Sequence, residues 1–244
     1  MRTRDVYITK AQTISDSGTL TFPINMLGKI QDIRVKFGAT NGATSNTVGK
    51  LASLVSKIEV VDGSDVLCSL SMRELQAINC FNNKRMPFRD LSGGAAVVIT
   101  DNALINFGRY QVDRAYYLDT ARLTNPIIRF TWAFTVSATA GIATGTGTLS
   151  LIARVIEDGA PPYMGFIMRK EVGSWTTAAS GDQSFVLDRA WPYKAIMVGV
   201  LKTTVVPDTI ITNLKLSVDS DRSIPFNLTG TDAFSKNVEM YPAF

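Results

Sequence analysis

Residues 57–74 read KIEVVDGSDVLCSLSMRE, and this stretch decides the fold. Ile58, Val60 and then Val66 and Cys68 alternate with polar neighbours, which is the period-two pattern of strands with one buried face. Asp62-Gly63-Ser64-Asp65 interrupts the alternation with turn residues, so the two runs form a hairpin. Directly after Leu70 comes Ser71-Met72-Arg73-Glu74, a capping box. Its serine hydroxyl accepts an orphan amide of a new helix and its glutamate reaches back. Leu75, Ile78 and Phe81 follow at helical spacing, and Asn82-Asn83 ends the helix.

Working outward, the same alternation recurs in short runs rich in Val, Ile, Thr and Phe, separated by Gly, Asn, Asp and Pro. Strands are expected near Leu20–Ile24, Ile30–Phe37, Val55–Val61, Val66–Leu70, Ala95–Thr100, Ile105–Gln111, Ile127–Ser137 and Thr148–Ile156. A later set is expected near Ser184–Leu187, Lys194–Leu201, Ile211–Val218 and Ile224–Phe226. Many short strands with few helices place the chain in the all-β class, as a sandwich or jelly roll. Phe130, Trp132 and Phe134 share one strand face and read as core. Ala138–Thr148, with three glycines, reads as a flexible loop or wide hairpin.

The hairpin and its cap have a second copy. Asn213-Leu214-Lys215-Leu216 leads to Asp219-Ser220-Asp221, a strand ends at Leu228, and Thr229-Gly230-Thr231-Asp232 offers another cap. Asp62 and Asp219 are 157 residues apart. On that offset Phe244 corresponds to about position 87 of the first copy, which itself runs on to Pro162. The expected organisation is two tandem jelly-roll sandwiches: residues 1–162, a connector over 163–180, and the start of a second roll over 181–244. The second roll is expected to be incomplete, cut short by the sequence or completed by another chain; a chance repeat is the other reading.

Composition removes several function classes. The 244 residues are 45% hydrophobic and 19% charged, enough to bury a core. There is no histidine, the usual general base and commonest metal ligand. This argues against a hydrolase triad or a cupin-like metal enzyme. Cys68 and Cys80 suit neither a disulfide framework nor a zinc site. Net charge is +4, from 25 basic and 21 acidic residues. The clusters Arg2, Arg4 and Lys10, and Lys84, Arg85 and Arg89, form no stripe that would specify nucleic acid. The longest apolar stretch, Ala195–Leu201, is far short of the ~20 residues of a membrane-spanning helix.

Candidate sites are few. Asp62, Asp65, Asp219 and Asp221 lie in turns and offer oxygen ligands for calcium, though turn aspartates more often cap their own backbone. Asp113, Asp119 and Glu157 are candidate carboxylates that no motif brings together. Asn227-Leu228-Thr229 matches a glycosylation acceptor. Tyr110, Tyr116 and Tyr117 suit a subunit interface. No cofactor is expected.

Three segments together resemble the double jelly-roll major capsid proteins of icosahedral viruses, especially the membrane-containing bacteriophage type. They are Ser15-Asp16-Ser17-Gly18-Thr19-Leu20-Thr21-Phe22-Pro23 leading into Ile30-Gln31-Asp32-Ile33-Arg34; Ile58–Gly63 with the Leu70-Ser71 helix start; and Ala160-Pro161-Pro162-Tyr163 to Met168-Arg169-Lys170. The resemblance implies a non-enzymatic shell protein that trimerises into pseudo-hexagonal capsomers and tiles an icosahedral capsid. Its partners would be neighbouring capsomers, penton and minor capsid proteins and an internal membrane, and its location the virion, assembled in the host cytoplasm. Residues 1–13 would point inward to lipid or genome, or pack as a terminus. A jelly-roll binding module for carbohydrate or a receptor, such as a virion spike, is the alternative.

Overall fold

The computed structural model describes residues 1–113, 115–176, 181–200 and 209–240, and its chain divides into two compact units, Met1–Phe185 and Val186–Phe244. The first unit holds eight principal strands: β1 (Arg2–Thr13), β2 (Ser17–Pro23), β3 (Lys29–Thr40), β4 (Val55–Asp62), β5 (Asp65–Leu70), β6 (Val98–Asn106), β7 (Pro126–Ala133) and β8 (Thr148–Asp158). One sheet runs β1-β8-β3-β6 and the other β5-β4-β7-β2. The antiparallel pairs β1–β8, β2–β7, β3–β6 and β4–β5 are those of one long hairpin ribbon. Rolling that ribbon adds β8–β3 and β4–β7, which close the two sheets. This wiring is an eight-stranded jelly roll.

Alternation explains which face each strand buries. Ile33, Val35 and Phe37 of β3 lie opposite Ala153, Leu151 and Leu149 of β8, and all six are fully buried. In the second sheet Ile58 and Val60 of β4 lie opposite Phe130 and Ile128 of β7. The sheets meet where the Phe37 ring lies 6.1 Å from Phe130 and 6.5 Å from Trp132. Phe130, Trp132 and Phe134 are therefore core, as their shared strand face predicts.

Helix α1 (Met72–Asn83) starts at the predicted capping box: the Glu74 amide donates to Ser71 Oγ (3.3 Å) and the Ser71 amide to Glu74 Oε2 (2.7 Å). It lies along the outer edge of β6 beyond the Arg89–Asp90 pairing and satisfies part of that edge. Asn79 accepts from the Leu104 amide (2.7 Å) and donates to its carbonyl (2.8 Å), and Gln76 donates to the Asn102 carbonyl (2.9 Å). Side chains here do what a further strand would do.

Several expectations need correction. The strands expected at Ala95–Thr100 and Ile105–Gln111 are one strand, β6, and Gln111 lies in a turn. Ile127–Ser137 stops at Ala133. Within residues 1–13, Arg2–Thr13 form a strand, β1, paired along β8. No strand forms at Ser184–Leu187 or over 194–200, and Leu201 and connector residues 177–180 lie outside the described residues. The physical reason is partnership. In the first unit the matching strands β2 and β3 take neighbours from β6, β7 and β8, and among the described residues no strands stand in those places beside the later runs.

Among the described residues the second unit holds what pairs locally: β9 (Asn213–Val218), β10 (Ser223–Thr229) and α2 (Gly230–Met240). Leu214 opposes Leu228 and Leu216 opposes Phe226, as Ile58 opposes Leu70 and Val60 opposes Cys68. The Asp232 amide donates to Thr229 Oγ1 (3.1 Å), repeating the Ser71 cap. The chain is thus all-β with short helices, a double jelly roll whose second roll is partial among the described residues.

Candidate functional site

One end of the sandwich is a crown of interlocked loops. Residues 41–54 and 134–147 cross through hydrogen bonds from the Gly42 amide to the Gly141 carbonyl (2.8 Å), Ser45 to Thr139 (2.9 Å) and Ala143 to Thr40 (2.8 Å). The crossing is tight: a Cβ on Gly42 would meet the Ser137 carbonyl oxygen at 2.6 Å. Asn41, 1% exposed, donates to the carbonyls of Ser92 (2.7 Å) and Gly94 (2.9 Å), bringing in a third loop. Thr144 and Gly145 both donate to Asp16, whose carboxyl they hold below its ordinary range. The Ala138–Thr148 tract is therefore pinned on two sides, and its glycines serve close backbone approach. A shallow cavity of about 260 Å³ beside Asn46, Lys50, Arg89 and Ser92 is smaller than the roughly 300–1,000 Å³ of ordinary ligand pockets.

The two flanks of the sandwich differ. On the β5–β6 flank, Asp101 points inward and accepts from Gln76 Nε2 (2.6 Å) and Arg89 Nε (3.2 Å), so α1 and the returning Arg89–Asp90 strand meet on one carboxylate. Lower on that flank the 159–171 segment straps the sheets together. The Ile167 amide donates to the Phe107 carbonyl (2.9 Å), Arg169 Nη2 to Gly108 (2.8 Å), and Arg169–Lys170 pairs in parallel with Cys68–Ser69. On the opposite flank β1 and β2 are edge strands with no further partner among the described residues. β1 carries register shifts at Tyr7/Thr9 and Thr9/Gln12 and exposed Arg2, Arg4 and Lys10, features that discourage strand addition.

The predicted site residues are dispersed. Asp62 accepts from the Thr124 and Asn125 amides and so caps the entry to β7, while Asp65 is exposed at the start of β5. In the second unit Asp221 accepts from Lys215 Nζ (2.8 Å) and Asp219 lies 3.7 Å from Arg189. Among the described residues no group of three or more Cys, Asp or Glu converges for a metal. Asp113, Asp119 and Glu157 sit in separate ion pairs, with Arg109 (2.8 Å), Arg122 (3.5 Å), and Arg2 and Arg4 (3.1 and 2.9 Å). Burial alone would push the Asp113 carboxyl up, but Arg109 and the Ala115 and Arg109 amides outweigh it and bring it down to about 2. Tyr117 is buried and donates to the Pro161 carbonyl (3.1 Å), whereas Tyr110 is exposed. Asn227 accepts from Asn213 Nδ2 across the β9–β10 ladder (3.1 Å). Burial pushes the Cys68 thiol up to about 12, an inert core position.

Sequence reasoning missed Asp32. It faces outward on β3 yet is 2% exposed, with Arg154 at 3.5 Å as its ion-pair partner and Oδ2 without a hydrogen bond. Burial pushes its carboxyl up to about 6, against the pull of Arg154 and Arg34. A carboxyl raised in the folded state contributes stability below its ordinary 3.8, and that contribution is lost as pH rises through about 6. Asp32→Asn is therefore expected to flatten this loss. The variant's urea midpoint should gain on wild type between pH 4 and pH 7.5; an unchanged difference at the two pH values would sink the assignment.

No family model and no curated protein matches the chain. Solved structures do match. A chain in the atomic structure of Sulfolobus turreted icosahedral virus superposes with a TM-score of 0.50 at 14% identity, over 64% of this chain and 45% of that one. The fold is that of viral capsid jelly rolls. The crystal structure of the same virus's major capsid protein gives 0.48 at 14% identity, over 64% of this chain and 49% of that one. The major capsid protein P2 from bacteriophage PM2 gives 0.41 at 14% identity, with 66% and 52% covered. The chain spans about half the length of these capsid proteins, and at this identity the likeness is one of fold.

Proposed function

We propose that this chain is the building block of a viral capsid, a major capsid protein whose work is geometric and involves no catalysis. The observation that carries the reading is the complete β1–β8 jelly roll followed by a repeat of its central hairpin and capped helix, in a fold shared with capsid proteins. Two such rolls per chain let three chains make a pseudo-hexagonal capsomer, and capsomers tile an icosahedral shell. The second roll would be completed by strands pairing with the β9–β10 ribbon, whose Leu214, Leu216, Phe226 and Leu228 are only half-buried. Penton and minor capsid proteins, and an internal membrane in viruses that have one, would be further partners, and the virion the location. The carbohydrate-binding alternative would need exposed aromatic rings to stack on sugar, and Phe130 and Trp132 are core.

Light scattering and negative-stain microscopy of protein from its native source test the proposal. Particles of three times the chain mass, 26.6 kDa for these 244 residues, or shells built from them, are expected. A stable monomer that assembles under no condition would overturn the capsid reading.

A further inference from the structure

The crown cavity of about 260 Å³ is lined by two cationic residues, Lys50 from the 41–54 loop and Arg89 from the loop after α1. No carboxylate lines it among the described residues. Thr47 and Ser92 add hydroxyls, and Leu91 and Ile99 add apolar surface. Lys50 is exposed and has no ion-pair partner among the described residues. The lining is built before anything binds. The Gly49 amide donates to Asn46 Oδ1 (2.7 Å) and Asn46 Nδ2 to the Gly49 carbonyl (2.9 Å), which fixes the chain entering Lys50. Asn41 holds the Ser92 carbonyl, and the Gly94 amide donates to Ser92 Oγ (3.4 Å), leaving the serine O–H as a donor. Groups ordered in advance cost little to order on binding.

Charge and size select the ligand. Arg89 gives Nε and Nη2 to Asp101, so Lys50 and Arg89 against Asp101 leave one positive charge in excess. Asp90 lies outside the lining and is exposed, where water and salt screen it. One excess charge matches a monoanion, and an arginine already committed to a carboxylate has no open fork for phosphate or sulfate. The volume falls below the roughly 300–1,000 Å³ of pockets for drug-sized ligands and cofactors. What fits is a carboxylate on a short hydrocarbon stem: the charge meets Lys50 and the hydroxyls, and the stem meets Leu91 and Ile99.

We infer that the crown cavity binds a carboxylate on a short apolar stem, with Lys50 as its charged anchor, supplied by an acidic side chain of a neighbouring protein or by a free alkyl carboxylate. Saturation-transfer NMR of the full chain with sodium butyrate tests it, at ionic strength held constant with sodium chloride. Saturable transfer to the alkyl protons is expected, with affinity rising roughly threefold per methylene from acetate to butyrate. Lys50→Ala should weaken binding about tenfold or more and Lys50→Arg no more than about threefold, with the circular dichroism spectrum and urea midpoint unchanged. Leu91→Ser should erase the gain from acetate to butyrate. Glutamate capped as its N-acetyl N-methylamide separates the two sources: displacement of butyrate at equal or lower concentration supports the side chain, and no displacement the free carboxylate. The site is overturned by any of four results: no saturable transfer, equal binding in Lys50→Ala, an undiminished chain-length gain in Leu91→Ser, or stronger displacement by sulfate than by acetate. Each of these leaves the capsid reading standing, because the cavity is argued from its lining alone.

Discussion

Asp101→Ala is expected to lower the free energy of unfolding by about 3 kcal/mol, a large part of the roughly 5–15 kcal/mol that holds a domain of this kind together. Asp101 is fully buried although it belongs to the polar set. It joins pieces of chain distant in sequence: the Ala52 amide, Gln76 from α1, Arg89 from the loop that returns after it, and β6 itself. Alanine leaves the Gln76 amide group with only the Asn102 carbonyl, opens a cavity beneath α1 and removes the anchor of the Arg89–Asp90 strand. The Arg89 side chain is 31% exposed and can turn to water, which places the loss at the low end of the range for breaking a buried pair. Burial is the main influence on the Asp101 carboxyl and pushes it up against Arg89, so Asp101→Asn, which keeps the shape and one acceptor, should cost clearly less. Urea denaturation of both variants decides the matter. Equal losses would mean that charge, and not the acceptor network, is what Asp101 supplies; no loss in Asp101→Ala would mean that the flank is closed by packing alone.

The same residue shows why parts of the fold were legible and others were not. The 57–74 stretch could be read because everything it needs is adjacent: two strands that pair with each other and a four-residue cap. Strand β6 read as two pieces because Asp101 and Asn102 interrupt its alternation, and the partners that make an inward aspartate tolerable come from Gln76 and Arg89, which no local pattern announces. Strand β1 was obscured by Arg2, Arg4 and Lys10, although Val6 and Ile8 keep the core-facing period. The glycines near 141 looked like looseness because composition does not reveal that another backbone crosses there. Among the described residues the strand-like runs after residue 181 have the right alternation but no strand to pair with, whereas the self-sufficient hairpin and helix formed. Pairing partners, more than propensity, divide what the sequence states from what it leaves open.

That contrast makes the inter-sheet seam the other decisive place, and Phe130→Ala is expected to cost about 3–5 kcal/mol. Phe130 is fully buried on β7, the strand that joins β4 to β2. Its ring lies 6.1 Å from Phe37 of the facing sheet and 6.2 Å from Phe22 of β2, both edge-on, a geometry that adds to the apolar area each ring buries. Truncation removes the ring from between two sheets whose spacing is set by their other pairs, so the void cannot close by moving one strand. Phe130→Leu retains most of the volume and should lose no more than about 1.5 kcal/mol. The two variants differ in how much of the cavity they leave, and the gap between their urea midpoints, at unchanged slope, measures that cavity. A Phe130→Ala loss below about 1.5 kcal/mol would show that the sheets collapse onto the site. The seam would then be a soft contact, with the rolled ribbon held by its hydrogen-bonded edges and by the strap and helix on the β5–β6 flank.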